Sequence, residues 1–325
     1  MLTSGILGHS AQLADIAADI SSGNVVHAYL FSGAPHLGKF TIAKLFGRYL
    51  LCHGRSEDER AAIADQIDRL LHPDFLVIDR LWIENVCEDL VVIAKSSNIP
   101  QQHRMKAKPP ARTDKIRIDD IRAVQERMHE VGTGRYRCCI IRSVERMQIE
   151  AISALLKILE EPPDGVVFLM TTQSLQSLPP TLVSRARTLH FSRLTDVELE
   201  PFLGGTSEDE RKFLLRVAQG TPGILRRLRD DTELFRIERQ MYSNALAFWH
   251  SRSNIERMRL LKPLHERGAA SDKFLLHLLL ALREENENVS PSIILRIMSL
   301  CRNLTTNVNR QLLAQQFVLG ILEHA

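Results

Sequence analysis

Residues 33–41 read Gly33-Ala34-Pro35-His36-Leu37-Gly38-Lys39-Phe40-Thr41, two glycines five positions apart with a lysine directly after the second. This is the spacing of a phosphate-binding loop. Placed between a strand and a helix, such a loop turns backbone N–H groups toward phosphate oxygens. Gly33 and Gly38 permit close approach, and Lys39 neutralises the terminal phosphates. The chemistry then requires a hydroxyl immediately after the lysine to hold magnesium. Phe40 stands there instead. Thr41 follows one residue late, about 100° further round the helix, and does not replace the missing ligand.

A nucleotide-hydrolysing site of this type also needs an acid at the end of a later strand for the metal, and often a second acid that orients water. The matching stretch is Cys139-Ile140-Ile141-Arg142-Ser143-Val144-Glu145, with Arg142 and Ser143 in the two acidic places. A guanidinium about 4 Å from a divalent ion, at an effective dielectric near 20, costs roughly 8 kcal/mol, so Arg142 excludes a metal rather than binding one. Glu145 lies beyond the strand end, where a solvated or helix-capping carboxylate is expected. Neither hydrolysis nor a bound metal is expected here. The backbone loop and Lys39 leave nucleotide binding without hydrolysis open.

Positioning these residues requires a sheet. The first 190 or so residues alternate apolar runs with amphipathic helical patterns, the rhythm of a parallel sheet flanked by helices. Strands are expected at 27–32, 75–79, 137–141 and 166–171, each short, apolar and bounded by turn or charge signals. Helices are expected at 120–128, where Ile121, Val124 and Met128 share a face, and at 151–159, which Pro162 and Pro163 stop. A segment of about 82–114, rich in proline and basic residues, reads as an exposed, mobile insertion, with its basic side chains either solvated or in contact with DNA or a partner. Beyond about Leu194 the pattern is helical throughout. Leu313, Phe317 and Ile321, widened by Val318 and Leu322, form a stripe suited to a helix bundle or to like helices of other subunits.

Bulk composition is permissive. The chain has 325 residues, 44% hydrophobic and 25% charged, which fits a soluble protein of two or three domains and excludes global disorder. Forty-two Lys and Arg against 39 Asp and Glu leave a net charge of +3, too balanced for a dedicated nucleic-acid coat. The five cysteines are irregularly placed, without CxxC pairs, as in a reducing cytoplasm. The amino-terminal stretch lacks the long apolar core of a secretion signal, and no run is long enough to cross a membrane. A cytoplasmic location without membrane partners is expected.

Several segments, in this order, resemble the bacterial DNA polymerase III clamp-loader subunits, the gamma, tau and delta-prime group of AAA+ proteins, and within that group the delta-prime subunits. They are His27-Ala28-Tyr29-Leu30-Phe31-Ser32-Gly33 before the loop, His72-Pro73-Asp74, Ile116-Arg117-Ile118-Asp119-Asp120, Ala154-Leu155-Leu156-Lys157-Ile158-Leu159-Glu160-Glu161-Pro162-Pro163, and Leu178-Pro179-Pro180-Thr181-Leu182-Val183-Ser184-Arg185. The resemblance implies an AAA+ P-loop (RecA-like) α/β domain over 1–193, a helical lid over 194–232 and a helical collar over 233–325. It implies that Arg185, in a Ser184-Arg185-Ala186 version of the family's Ser-Arg-Cys triplet, acts in trans on a neighbour's nucleotide, with Arg187 as a nearby decoy. Gly223 falls where ATP-hydrolysing relatives carry a sensing arginine, and Arg226 comes three residues late. Of the family's four-cysteine zinc module only Cys52 remains, beside a Glu- and Arg-rich stretch at 57–69, so zinc is not expected.

On this resemblance the chain is a non-hydrolysing, stator-like subunit. Its expected partners are the gamma or tau motor subunits and the delta subunit, and through them the sliding clamp and primed DNA, with ATP and magnesium held by neighbours. Two other functions remain open: an active motor ATPase with an unorthodox metal site, and a degenerate AAA+ adaptor that binds nucleic acid.

Overall fold

Strands covered by helices on both faces read as unbroken apolar runs, and four strands here do. The computed structural model describes residues 6, 8–78, 115–129, 132–285 and 290–322. In it β1 (Ala28–Gly33), β2 (Phe75–Ile78), β3 (Arg137–Ile141) and β4 (Val166–Thr172) are buried along their whole length. Each lies within a residue or so of its expected place. A fifth strand, β5 (Arg187–Phe191), is absent from the sequence expectation, which places four. It is an edge strand, with only Leu189 and Phe191 buried, Arg187 and Thr188 before them and the exposed His190 between them, so it carries no apolar run. The sheet is parallel throughout, in the order β2-β3-β4-β1-β5. The insertion expected at about 82–114 lies outside the described residues.

Alternation along β1 divides the core. Tyr29 and Phe31 face one layer with Leu13, Ile42 and Phe46, supplied by α1 (Ser10–Ser22) and α2 (Lys39–Leu51). Ile67 joins them from α3 (Glu57–Asp68), which the Ser56 and Glu59 capping box starts, in the stretch where the resemblance would have a zinc module. Leu30 faces the other layer with Val124 of α4 (Ile118–His129) and Leu155 and Leu159 of α5 (Ile149–Glu160). Two one-turn helices follow, α6 (Pro180–Val183) and α7 (Asp196–Leu199).

The chain forms two compact units, one of Met1–Pro201 with Gly220–Pro222, the other of Phe202–Gln219 with Gly223–Ala325. The second is helical: α8 (Glu208–Ala218), α9 (Pro222–Asp230), α10 (Thr232–His250), α11 (Asn254–Leu260), α12 (Ala269–Glu285), α13 (Pro291–Leu304) and α14 (Arg310–Leu322). Leu313, Phe317, Val318 and Ile321 of α14 are buried, and Phe317 stacks on Phe248 of α10 at 6.0 Å. Between α10 and α12, the buried Glu238 accepts from Lys273 and pairs with His277, each at 2.6 Å. No helix among the described residues is long and apolar enough to cross a membrane.

Candidate functional site

The phosphate loop leaves the carboxyl end of β1 and runs into α2, the place where α/β sheets bind ligands. Gly33 has φ 149°, and a Cβ there would lie 2.2 Å from the carbonyl oxygen of Phe191 in β5, so only glycine fits. Gly38, at φ 85°, caps α2 in the left-handed region. The loop closes around Lys39, which is 8% exposed and donates from Nζ to the carbonyls of Gly33 at 2.5 Å and Ala34 at 2.6 Å. Burial pulls the Lys39 pKa down to about 8; Glu145 opposes that fall and Arg142 adds to it.

The two residues expected to exclude magnesium meet each other. Arg142, just past β3, holds its guanidinium carbon 4.5 Å from the centroid of the Phe40 ring, within cation–π range. Its backbone N–H donates to Ile78 of β2 at 2.9 Å, which fixes the chain at that point. Ser143 adopts a left-handed conformation, φ 57° and ψ 59°, and its N–H donates to Thr171 Oγ1 of β4 at 3.1 Å. Thr41 is exposed.

Glu145 departs from its expectation. It is half-buried rather than solvated: one carboxylate oxygen accepts from the Gln173 N–H at 3.4 Å, and Oε2 is shut off from solvent without a hydrogen-bond partner among the described residues. Beyond the left-handed turn at Ser143, Glu145 meets the chain that leaves the carboxyl end of β4. That puts Glu145 close enough to Lys39 to act on its charge.

Arg185 lies at the other end of the sheet. The register of β5 on β1 pairs Arg187 with Tyr29 and Phe191 with Gly33. Residues entering β5 therefore sit beside the start of β1, roughly 16 Å of strand rise from the phosphate loop. Arg185 lines a cleft of about 700 Å³ there, with His27, Arg135, Asp164 and Arg187. Arg187 is tied into the fold by an ion pair with Asp19, which also accepts from the Tyr29 hydroxyl at 2.8 Å. Arg185 stays at the surface, its side chain 35% exposed, and donates to Thr181 O at 3.0 Å and Glu160 Oε1 at 2.7 Å. Gly223 falls in the first turn of α9, while Arg226 is exposed and pairs within its own helix with Asp230 at 3.5 Å. Glu160 belongs to the 154–163 segment but has no role by residue type alone. Its one signal is an acid at a helix carboxyl terminus, the end that disfavours negative charge.

A five-stranded parallel sheet with a glycine loop between β1 and α2, followed by a helical carboxyl-terminal unit, is an AAA+ architecture. The crystal structure of a DNA polymerase III gamma subunit-related protein from Thermotoga maritima has the same fold, with a TM-score of 0.52 at 15% identity, over 94% of this chain and 97% of that one. A sequence model described as DNA polymerase III, delta subunit, matches residues 8–195, and the chain belongs to that family of clamp-loader AAA+ subunits. It is 28% identical over 194 residues to the DNA polymerase III subunit tau of Escherichia coli K12, covering 59% of this chain and 26% of that relative. It is 25% identical over 230 residues to the subunit gamma of Buchnera aphidicola from Schizaphis graminum, covering 66% of this chain and 54% of the relative. The chain thus spans about a quarter to a half of the length of these curated relatives.

Proposed function

We propose that the chain is a non-hydrolysing, delta-prime-like subunit of the DNA polymerase III clamp loader, which helps load the sliding clamp onto primed DNA and lends Arg185 to the nucleotide site of an adjacent ATPase subunit. One relationship carries this reading. The phosphate loop and Arg185 lie at opposite ends of one sheet, so Arg185 cannot serve its own loop and is presented to a neighbour's. That own loop has Phe40 packed against Arg142 where metal ligands would be, which supports a lost rather than an altered active site. ATP and magnesium then belong to neighbouring subunits, and any nucleotide held here by the loop and Lys39 turns over no chemistry. The lid over 194–232 and the collar over 233–325 remain the proposed subdivision beyond the sheet domain, with α13 and α14 in the collar. A cytoplasmic location accords with this role.

An arginine supplied in trans to phosphoryl transfer raises rates about 10³- to 10⁵-fold elsewhere. The test is R185A in a complex reconstituted with gamma or tau and delta subunits, expected to assemble normally and to lose most clamp-dependent ATPase. Unchanged ATPase would overturn the trans role. A second reading, an active motor ATPase, draws on the closeness of Glu145 to Lys39. Magnesium-dependent turnover by the isolated chain, lost in K39A, would favour it.

A further inference from the structure

Arg185 is one of several arginines around its cleft, and its conformation is held by a single side chain. We infer that Glu160 is the positioning residue for Arg185, a fixed counter-anion that aims the guanidinium so that a phosphate on the adjacent subunit meets it ready oriented. This inference rests on the trans role proposed above for Arg185 and assigns a residue that tunes it.

The geometry is specific. Arg185 Nη2 donates to Glu160 Oε1 at 2.7 Å, and Nη1 donates to the Thr181 carbonyl at 3.0 Å. A guanidinium has five N–H donors. Two are committed and three are left for an incoming anion. Both partners stand on packed supports: α6 is anchored by the fully buried Leu182, and Glu160 ends a helix whose Ile158 and Leu159 belong to the same core layer. The Ser184 N–H closes onto Pro180 O at 2.9 Å, so little backbone freedom separates the anchor from Arg185.

The placement of Glu160 is unfavourable in any other respect. It is the last residue of α5, where the aligned peptide dipoles place partial negative charge, so a carboxylate costs rather than contributes to helix stability. Among the described residues its one ion pair is with Arg185. Helix end and carboxylate together present negative charge to the guanidinium, as a phosphate would, and hold it in place when no neighbour is present. Arg187, four residues past the end of α6, is committed to Asp19 and does not compete for it.

The pair is half exposed, so its strength is modest and the expected effects are of a few fold. In the full-length isolated chain, phenylglyoxal labelling read by peptide mass spectrometry should modify Arg185 about 2- to 5-fold faster in E160Q, with Arg226 as internal reference. An unchanged rate overturns the positioning role whatever Arg185 does in a complex. In the reconstituted clamp loader, E160Q should lower the neighbour's kcat by about 2- to 5-fold with KM unchanged, E160D should recover part of it, and E160Q added to R185A should cause no further loss. Unaltered kcat in E160Q alongside a defective R185A overturns the inference alone, as does a loss in E160Q that adds to that of R185A. Full activity in R185A overturns the trans role and this inference with it.

Discussion

The Arg142 guanidinium carbon lies 4.5 Å from the centre of the Phe40 ring, so the two positions that would share a divalent ion are joined to each other. Restoring one leaves the other in the way. F40T would supply a hydroxyl beside a cation that repels the metal, and R142D would supply a carboxylate beside an aromatic ring. Neither single variant should hydrolyse ATP above the K39A background in a magnesium-dependent phosphate-release assay. Turnover by either would mean that the site is blocked at one point only.

Gly33 offers a test of how the loop is held. A β-carbon would stand 2.2 Å from Phe191 O, at a φ of 149° that other residues avoid. G33A should therefore lose about 2–4 kcal/mol of stability in urea unfolding, through backbone strain and displacement of β5. A loss below about 0.5 kcal/mol would show that the edge strand yields freely.

The second unit has a buried ionic cluster with a definite pH signature. Burial alone would raise the Glu238 pKa, but hydrogen bonds from His277 and Lys273 outweigh it and hold the group down to about 2. The unfolded chain, with the ordinary value of 4.5, takes up the proton first. The stabilisation is complete above about pH 4.5 and is lost as pH falls toward 2. E238Q should cost about 3 kcal/mol at pH 7, a difference that narrows steadily in acid. Trp249, whose indole donates to Leu278 O at 2.9 Å, reports on this unit, in a W82F background. A pH-independent difference would exclude the ion pair as its origin.

Leu295 and Met298 of α13 and Leu312 and Leu319 of α14 are between 53% and 67% exposed, an apolar surface that a bundle of like helices would cover. L295E with L319E should change the unfolding free energy by less than about 0.5 kcal/mol per site and abolish co-purification with the gamma or tau and delta subunits. Normal assembly would locate the intersubunit contact elsewhere.

Legibility in the sequence follows burial. Strands β1 to β4 are readable because both of their faces are covered, which leaves continuous apolar runs. β5 is not, since Arg187 and Thr188 precede its two buried residues and His190 separates them. At the phosphate loop, the glycine spacing and the changed metal positions are legible because each is a local rule about residue type. The position of Glu145 is not, because it depends on the left-handed turn at Ser143, a conformation that serine does not advertise. Glu160 was hidden for another reason. Its partner is 25 residues away, and a pair that forms across a strand and two turns leaves no spacing to recognise.

Strands that all run the same way give the domain two unlike faces. On the function proposed above, the face at their amino ends carries the guanidinium that is offered, and the face at their carboxyl ends no longer makes use of one. A row of such domains docked front to back has a compass direction, and a member that only gives must stand at its terminus. On that proposal the parallel register of β1 and β5 carries information about rank: it suits this protein to be an end-stop, against which the order of every other place in the row can be counted.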